Sequence, residues 1–258
     1  MTGQTSSTPV LSALITIKNE EKQLAACLDT LAFADEIVVV LDNCSDGSKA
    51  IAAKYTDRLI EGEWPKEGPR RNAGIDQCRG QWIFEIDADE RVPQALAIEI
   101  RETIATSSCD WHEILVDNYI GERLVRWGWG ASFGKAAYPG LFRNGVKKWG
   151  DQRVHPSLQW SGTKGVMLKN RLDHFVDRNL SGLIRKLDSY STARAQDLRD
   201  AGETWGSTAN NLRRFFSRFV KCYFFRKGYR EGGYGLAIAI LAGLYPLLSH
   251  LKAKLEND

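Results

Sequence analysis

Residues 83–90 read Ile-Phe-Glu-Ile-Asp-Ala-Asp-Glu, an apolar run that ends in the carboxylate pair of Asp87-Ala88-Asp89. Such a pair is a poor stability device, because two like charges where a sheet meets solvent each raise the other's cost of ionisation. It suits a strand whose tip meets a hard divalent cation or a polar substrate. Mg2+ or Mn2+ takes oxygen ligands and shares a few carboxylates with substrate phosphates. Strands also end in Asp for no functional reason, so the reading depends on the chain around it.

Working outward, the first hundred residues alternate strand and helix. Leu11 to Ile17 is a short apolar run that reads as a buried strand, and Asn19-Glu20-Glu21 after it suits a helix start. Glu36 to Leu41 is rich in β-branched residues and predicts a second strand, bounded by Asp42-Asn43. Helix is expected from Lys49 to about Tyr55, a short strand at Arg58–Glu61, helix again from Arg70 to Cys78, and a further helix from Pro93 to about Ala105. This alternation with short connections predicts an α/β fold, a mostly parallel sheet with flanking helices. Ligands of such sheets bind at the carboxyl ends of the strands. The polar clusters fall there: Lys18-Asn19-Glu20, Asp42-Asn43 and Asp87-Ala88-Asp89.

The Gly-rich phosphate signatures, GxGxxG after the first strand and GxxxxGK[ST], are absent. A bound diphosphate would need metal and basic side chains instead. Asp89 can hold the metal. Arg70 and Arg71 are placed at a helix start, where N–H groups and the dipole also favour anions.

The chain has 258 residues, 43% of them hydrophobic, and a net charge of +3, which suits one compact domain or a domain with an appendage and disfavours a polyanion binder. No nucleic-acid recognition motif is present. Residues 1–9 read as a loose tail without signal-peptide character. Five scattered cysteines without CxxC spacing predict reduced thiols in a cytoplasmic protein.

Ile15–Glu21, Ile37–Ser48, Arg71-Asn72-Ala73-Gly74 and Ile86–Glu90 together resemble the ordered motifs of family-two glycosyltransferases. The family implies the Rossmann-like GT-A fold and an inverting mechanism. Tyr138–Arg143, Arg153-Val154-His155 and Leu172–Phe175 extend the likeness to a bacterial subgroup that contains lipopolysaccharide core β-1,4-glucosyltransferases. The resemblance implies that Thr16 and Glu20 line the nucleotide pocket and that Asp42 reads the base, usually uracil. Asp87 would contact the ribose, Asp89 the metal (Mg2+ or Mn2+), and Arg71 and Asn72 would lie near the donor. The family's general base comes after Asp-x-Asp, near the acceptor. The candidates here are Asp151 and then His155, with His174 a further candidate as metal ligand or base. Subgroup members tend to follow Val-His with Glu, where this chain has Pro156, so a Glu base at that position is out of reach.

Residues 127–138 alternate aromatics with small residues, and a flexible loop carrying Trp127, Trp129 and Phe133 would suit stacking on an acceptor sugar. Residues 180–200 read as a polar helix. Between 212 and 230 seven basic residues and no acidic ones interleave with Phe215, Phe216, Phe219, Val220, Tyr223 and Phe224, the pattern of a basic amphipathic helix at a membrane surface. Gly235 to Leu248 is apolar but only 14 residues long with Pro246 inside, shorter than the roughly 20 a spanning helix needs. The expected organisation is a catalytic GT-A domain over 10–178, split into a nucleotide-sugar half (10–105) and an acceptor half (106–178). A helical, membrane-associating region would follow over 179–258, with 212–251 on the membrane.

The expectation is a metal-dependent hexosyltransferase. It would move a sugar, glucose from UDP-glucose, onto a lipid-anchored bacterial glycan such as the lipopolysaccharide inner core, from the cytoplasmic side of the inner membrane. A polyprenyl-linked or capsular acceptor is the alternative. A membrane-surface glycan-binding protein that has lost catalysis is the alternative of another class.

Overall fold

The computed structural model describes residues 10–130, 133–151, 157–201 and 206–256. The chain groups into two units, each discontinuous in sequence. Unit 1 takes the described residues within Met1–Leu115, Ala137–Asp151 and Pro156–Leu172, and unit 2 those within Val116–Ala136 and Asp173–Asp258.

Unit 1 is built on parallel strands. β1 (Leu11–Ile17) is buried along its whole length and lies between β2 (Glu36–Asp42) and β4 (Trp82–Ile86), with β3 (Leu59–Gly62) outside β2. All three pairings are parallel, with Ile15 opposite Val39 on one side and Ile86 on the other. Strands covered on both faces need unbroken apolar runs, and LSALITI and EIVVVLD supply them. The sheet is mixed, not parallel throughout. β8 (Ala137–Arg143) runs antiparallel to β4, and the N-terminal half of β6 (Trp111–Ile120) antiparallel to β8, with a register shift between His112 and Ile114. A two-stranded ribbon pairs β9 (Lys147–Trp149) with β10 (Leu158–Trp160). Leu14, Val38, Val40, Ile75, Ile83 and Phe142 form one core cluster of this unit.

Short helices cover the sheet: α1 (Leu24–Leu28), α2 (Ser48–Ala52), α3 (Glu67–Ile75) and α4 (Gln94–Thr106). α3 starts three residues before the expected Arg70 and ends before Cys78. Pro69 does not stop it, because the first turn of a helix has no intrahelical partner for its N–H groups. Arg70 and Arg71 are therefore inside the helix, and Glu67 occupies its first turn. The short β5 (Glu90–Arg91) follows the Asp-x-Asp.

Unit 2 contains the C-terminal half of β6, which pairs with β7 (Arg123–Val125) and neighbours β11 (Arg171–Asp177), and three long helices. α5 (Leu180–Asp200) is capped by Asn179, whose side chain accepts from the Gly182 N–H, and α6 (Thr208–Val220) by Ser207. The single basic helix expected over 212–230 is interrupted. α6 ends at Val220, a π-helical turn covers Lys221–Phe225, and Lys227 turns left-handed at φ 60°. The break accompanies a close approach: a Cβ on Gly128 would lie 2.8 Å from the Gly228 Cα. α7 (Gly233–Leu255) has 23 residues, not 14, because one proline removes a single N–H and the helix continues past Pro246. By length and composition α7 could cross a membrane, but half of its apolar window is buried within the protein. Ile238, Leu241 and Tyr245 join Val125, Trp129, Phe133, Leu183 and Leu187 in the core of this unit. All five cysteines are free thiols, with Cys27, Cys78 and Cys222 buried.

Candidate functional site

The parallel register brings the carboxyl ends of β1, β2 and β4 to one edge of unit 1. Two asparagines at these tips, Asn19 after β1 and Asn43 after β2, have left-handed backbone, at φ 58° and 46°. Asparagine tolerates that conformation better than most residues. The two tips are tied together. Asn19 Oδ1 accepts from the Ser45 N–H (2.8 Å), Glu21 Oε2 from the Gly47 N–H (2.9 Å), and the Glu20 N–H donates to Ser48 Oγ (2.9 Å).

Asp42 closes β2 with its carboxylate buried. Its Oδ1 accepts from the Trp64 N–H at 3.0 Å, and its Oδ2 lies 3.2 Å from Arg70 Nη1 and 3.8 Å from Lys18 Nζ. One helix turn supplies the next connection, because Arg71 reaches three carboxylates: Glu67 and Glu85 at 2.8 Å each and Asp87 at 3.0 Å. Burial alone would lower the Arg71 guanidinium, yet Asp87, Glu67 and Glu85 hold it above its ordinary value. Glu85 is itself fully buried and also bonds Lys147 Nζ at 2.6 Å. Burial opposes its ionisation, but Lys147 and Arg71 hold the carboxyl below its ordinary value. Tyr138 sits over the same acids, its hydroxyl donating to the Glu85 carbonyl at 2.9 Å, and burial with Glu90, Asp87 and Glu85 pushes its phenol upward.

Asn72 clamps the ribbon: its side chain donates to the Trp149 carbonyl and accepts from the Trp149 N–H, each at 2.9 Å. The Trp149 ring lies under the Arg71 guanidinium, 5.1 Å from centroid to carbon. Two residues on, Asp151 pairs with Lys66 at 2.7 Å, its side chain 69% exposed. The structure thus gathers Asp42, Arg70, Arg71, Asn72, Asp87 and Asp151 around α3 and the strand tips. Thr16 lies at the end of β1, and among the described residues neither its buried Oγ1 nor the Arg70 Nε has a hydrogen-bond partner. Asp89 is half-buried in the turn after β4.

Other expected residues stand elsewhere. His155, with Pro156 beside it, lies outside the described residues. Trp129 is not on a loop free to close over a ligand. It is 6% exposed in the core of unit 2, where its indole N–H donates to the Val125 carbonyl, and Phe133 is buried beside it. The alternation with glycine that suggested mobility reflects close packing: a Cβ on Gly134 would lie 2.5 Å from the Trp129 ring. Trp127 is half-buried, with Lys227 and Arg230 5.2 and 5.5 Å from its ring. His174 is buried in unit 2, its Nδ1 2.9 Å from Asn118 Oδ1. Sequence reasoning missed the Glu85–Lys147 pair and the contacts of Lys18, Trp64 and Trp149. A glutamate inside an otherwise apolar strand was the available signal, since a buried charge needs a partner. It also missed Asp173 in unit 2, whose carboxyl is pushed up by burial and by Asp117.

Among the described residues no group of three or more His, Cys, Asp and Glu side chains is placed to enclose a metal ion. The site fits a different arrangement. With Asp87 engaged by Arg71, a hard cation would take Asp89 together with oxygens that a ligand brings.

Residues 12–117 match the model of the glycosyl transferase family 2. This segment resembles a family 2 glycosyltransferase domain. The chain resembles, over nearly its whole length, the lipopolysaccharide core biosynthesis glycosyltransferase LpsC of Rhizobium meliloti, at 27% identity covering 94% of this chain and 91% of that protein. It also resembles an uncharacterized glycosyltransferase of Rickettsia typhi, at 23% identity over 90% and 82%. Its fold is that of S. aureus TarS, residues 1–349, solved in complex with UDP: TM-score 0.51, 12% identity, covering 95% of this chain and 91% of that one.

Proposed function

We propose that the protein transfers a hexose, glucose in the first instance, from a UDP-sugar to a lipid-anchored bacterial glycan of the lipopolysaccharide core, with inversion. The observation that carries this reading is the Asp42–Arg70–Arg71–Asp87 network at the carboxyl edge of the parallel strands, inside the segment that matches the family. The name of LpsC supports the lipopolysaccharide core as destination, and the UDP complex of TarS supports a uridine donor. A polyprenyl-linked acceptor would use the same donor edge and is the second reading.

In this scheme Asp42 reads the base. Thr16 Oγ1, which lacks a partner among the described residues, and Glu20 line the nucleotide pocket. Asp87 contacts the ribose, and Arg71 and Asn72 lie near the donor. Asp89 would carry Mg2+ or Mn2+, which when bound offsets the charge of the departing diphosphate. The acceptor hydroxyl oxygen forms the new bond to the anomeric carbon as the bond to the diphosphate oxygen breaks. Its proton passes to a carboxylate on the opposite face. Asp151 is the residue we assign there: Lys66 engages Oδ2, leaving Oδ1 to accept the proton. His155 is the second candidate.

The exposed face of α6 supports attachment to the membrane surface. Leu212, Phe216 and Val220 of α6, and Phe224 of the π-helical turn after it, are exposed among arginines and lysines, and Phe216 is 57% exposed.

Thermal unfolding with UDP and Mn2+ tests the donor site. Ligand at 100 times its dissociation constant adds about 2.7 kcal/mol, which raises the midpoint by roughly 5–10 °C for a chain of this size. The shift should need the metal and vanish in Asp89→Ala. Its absence with every nucleoside diphosphate would leave a glycan-binding protein without transfer.

A further inference from the structure

The helices of unit 2 border a partly open cavity of about 430 Å3, with Arg214 exposed at its edge, and the transfer scheme does not use it. Three arginines line it, Arg194 from α5 and Arg214 and Arg218 from α6, together with Tyr245, Ser249 and His250 of α7. None of the three arginines has a carboxylate within ion-pair distance among the described residues. Arg214 reaches only Asn211 Oδ1, at 3.5 Å, and Arg218 lies over the Tyr245 ring at 5.9 Å. Besides the burial that raises it, the Tyr245 phenol is lowered by Arg194 and Arg218 and raised by Asp197 of α5.

Among the described residues these like charges converge without a counter-ion, which disfavours a fold, so the arrangement calls for a reason. His250 gives a second one. It is 6% exposed, its Nε2 meets Thr208 Oγ1 at 3.3 Å, and its buried Nδ1 has no hydrogen-bond partner among the described residues. A buried polar nitrogen left unpaired is unfavourable. Burial pushes the Tyr245 phenol up to about 12, so it stays a neutral donor despite the arginines. Burial, with Arg214 nearby, lowers the Arg218 guanidinium against the opposing pull of Tyr245. An entering anion would relieve these costs together.

The number of donors selects the anion. A guanidinium forks onto two oxygens. One carboxylate offers too few acceptors for three guanidiniums and an imidazole, whereas a phosphate monoester or a diphosphate presents three or more oxygens and up to two or more charges. We propose that the α5–α6–α7 cavity binds a phosphate group. All its lining residues belong to unit 2, and none has a role in the donor edge. The phosphate belongs either to a membrane lipid headgroup or to a soluble molecule, and the test separates the two.

The full chain is titrated calorimetrically with inorganic pyrophosphate, as wild type, Arg218→Gln, Arg194→Gln and Arg213→Gln. Arg213 is exposed on α6 outside the cavity, so its variant loses the same charge without touching the site. The cavity variants should weaken binding by about tenfold or more, a 1.4 kcal/mol loss, and Arg213→Gln should leave it unchanged. Arg194→Gln carries the result if Arg218→Gln fails to fold. In parallel, the same proteins are sedimented with phosphatidylcholine vesicles with and without phosphatidic acid. Loss of phosphatidic acid binding in Arg218→Gln but not Arg213→Gln assigns the phosphate to a lipid. Equal vesicle binding by the two, with pyrophosphate lost only in the cavity variant, assigns it to a soluble ligand. The proposal is overturned by the absence of pyrophosphate binding, by binding that survives both cavity variants, or by an equal loss in Arg213→Gln. All variants should keep the UDP and Mn2+ shift of the wild type, so failure of the cavity and failure of the donor site are read separately.

Discussion

Glu85 carries its charge into the interior of unit 1, where Lys147 at 2.6 Å and Arg71 at 2.8 Å neutralise it. Breaking such a buried arrangement from one side leaves an uncompensated charge and costs about 3–5 kcal/mol. Lys147→Met should therefore lower the urea midpoint strongly, and the double variant Glu85→Leu with Lys147→Met should recover part of the loss. An undiminished loss in the double variant would mean that Arg71 alone makes Glu85 indispensable. The same residue sets a pH dependence. Its folded pKa lies below the ordinary 4.5, so its contribution is fully present above that pH and is lost as pH falls through the folded value. Glu36 and Glu99 are lowered as well and act in the same direction. Unfolding midpoints followed from neutral pH into acid should fall below about pH 4.5, and less steeply when Glu85 is absent. The carboxylates at the strand tips were legible in sequence, because Asp in a strand-end position stands out. Their partners were not: Lys147 and Trp149 lie more than sixty residues from Glu85, and no local pattern announces such a contact.

The strands could be read in sequence, since continuous burial demands continuous apolar runs. Helix limits were harder. α3 begins at Glu67 through Gly68 and Pro69, residues that read as loop unless a first turn is recognised as tolerant of them. The break after α6 accompanies the approach of Gly228 to Gly128, a tertiary contact that hydrophobic periodicity cannot register. α3 also provides a test of how tightly unit 1 is packed. Gly74 faces β1 and β2, and a Cβ there would lie 2.6 Å from Leu14 Cδ1 and 2.8 Å from Val40 Cγ2. Gly74→Ala should destabilise by about 1–3 kcal/mol, although alanine is the better helix former. A raised urea midpoint would show that the sheet yields easily under α3.

At the scale of the whole chain, the C-terminal helices were expected as an appendage that attaches a catalytic domain to a membrane. α7 also contributes Ile238, Leu241 and Tyr245 to the core that holds Trp129 and Leu183. Compositional reading sees an apolar helix but not what covers it, and that is why the two roles look alike in sequence. Deleting residues 207–258 should therefore abolish the folded state of unit 2, seen as rapid proteolysis within 116–136 and 173–201, and not merely release a soluble enzyme. A truncated protein that resists protease in those segments would return the helices to the status of an appendage. The donor edge of unit 1 has a calorimetric consequence of its own. Asn19 and Asn43 are already fixed in left-handed backbone, and Ser45, Gly47 and Ser48 already tie their loops together. A nucleotide arriving at that rim finds nothing there left to order. The heat capacity change on binding should accordingly match the apolar area the nucleotide covers, without the larger negative increment that accompanies coupled folding.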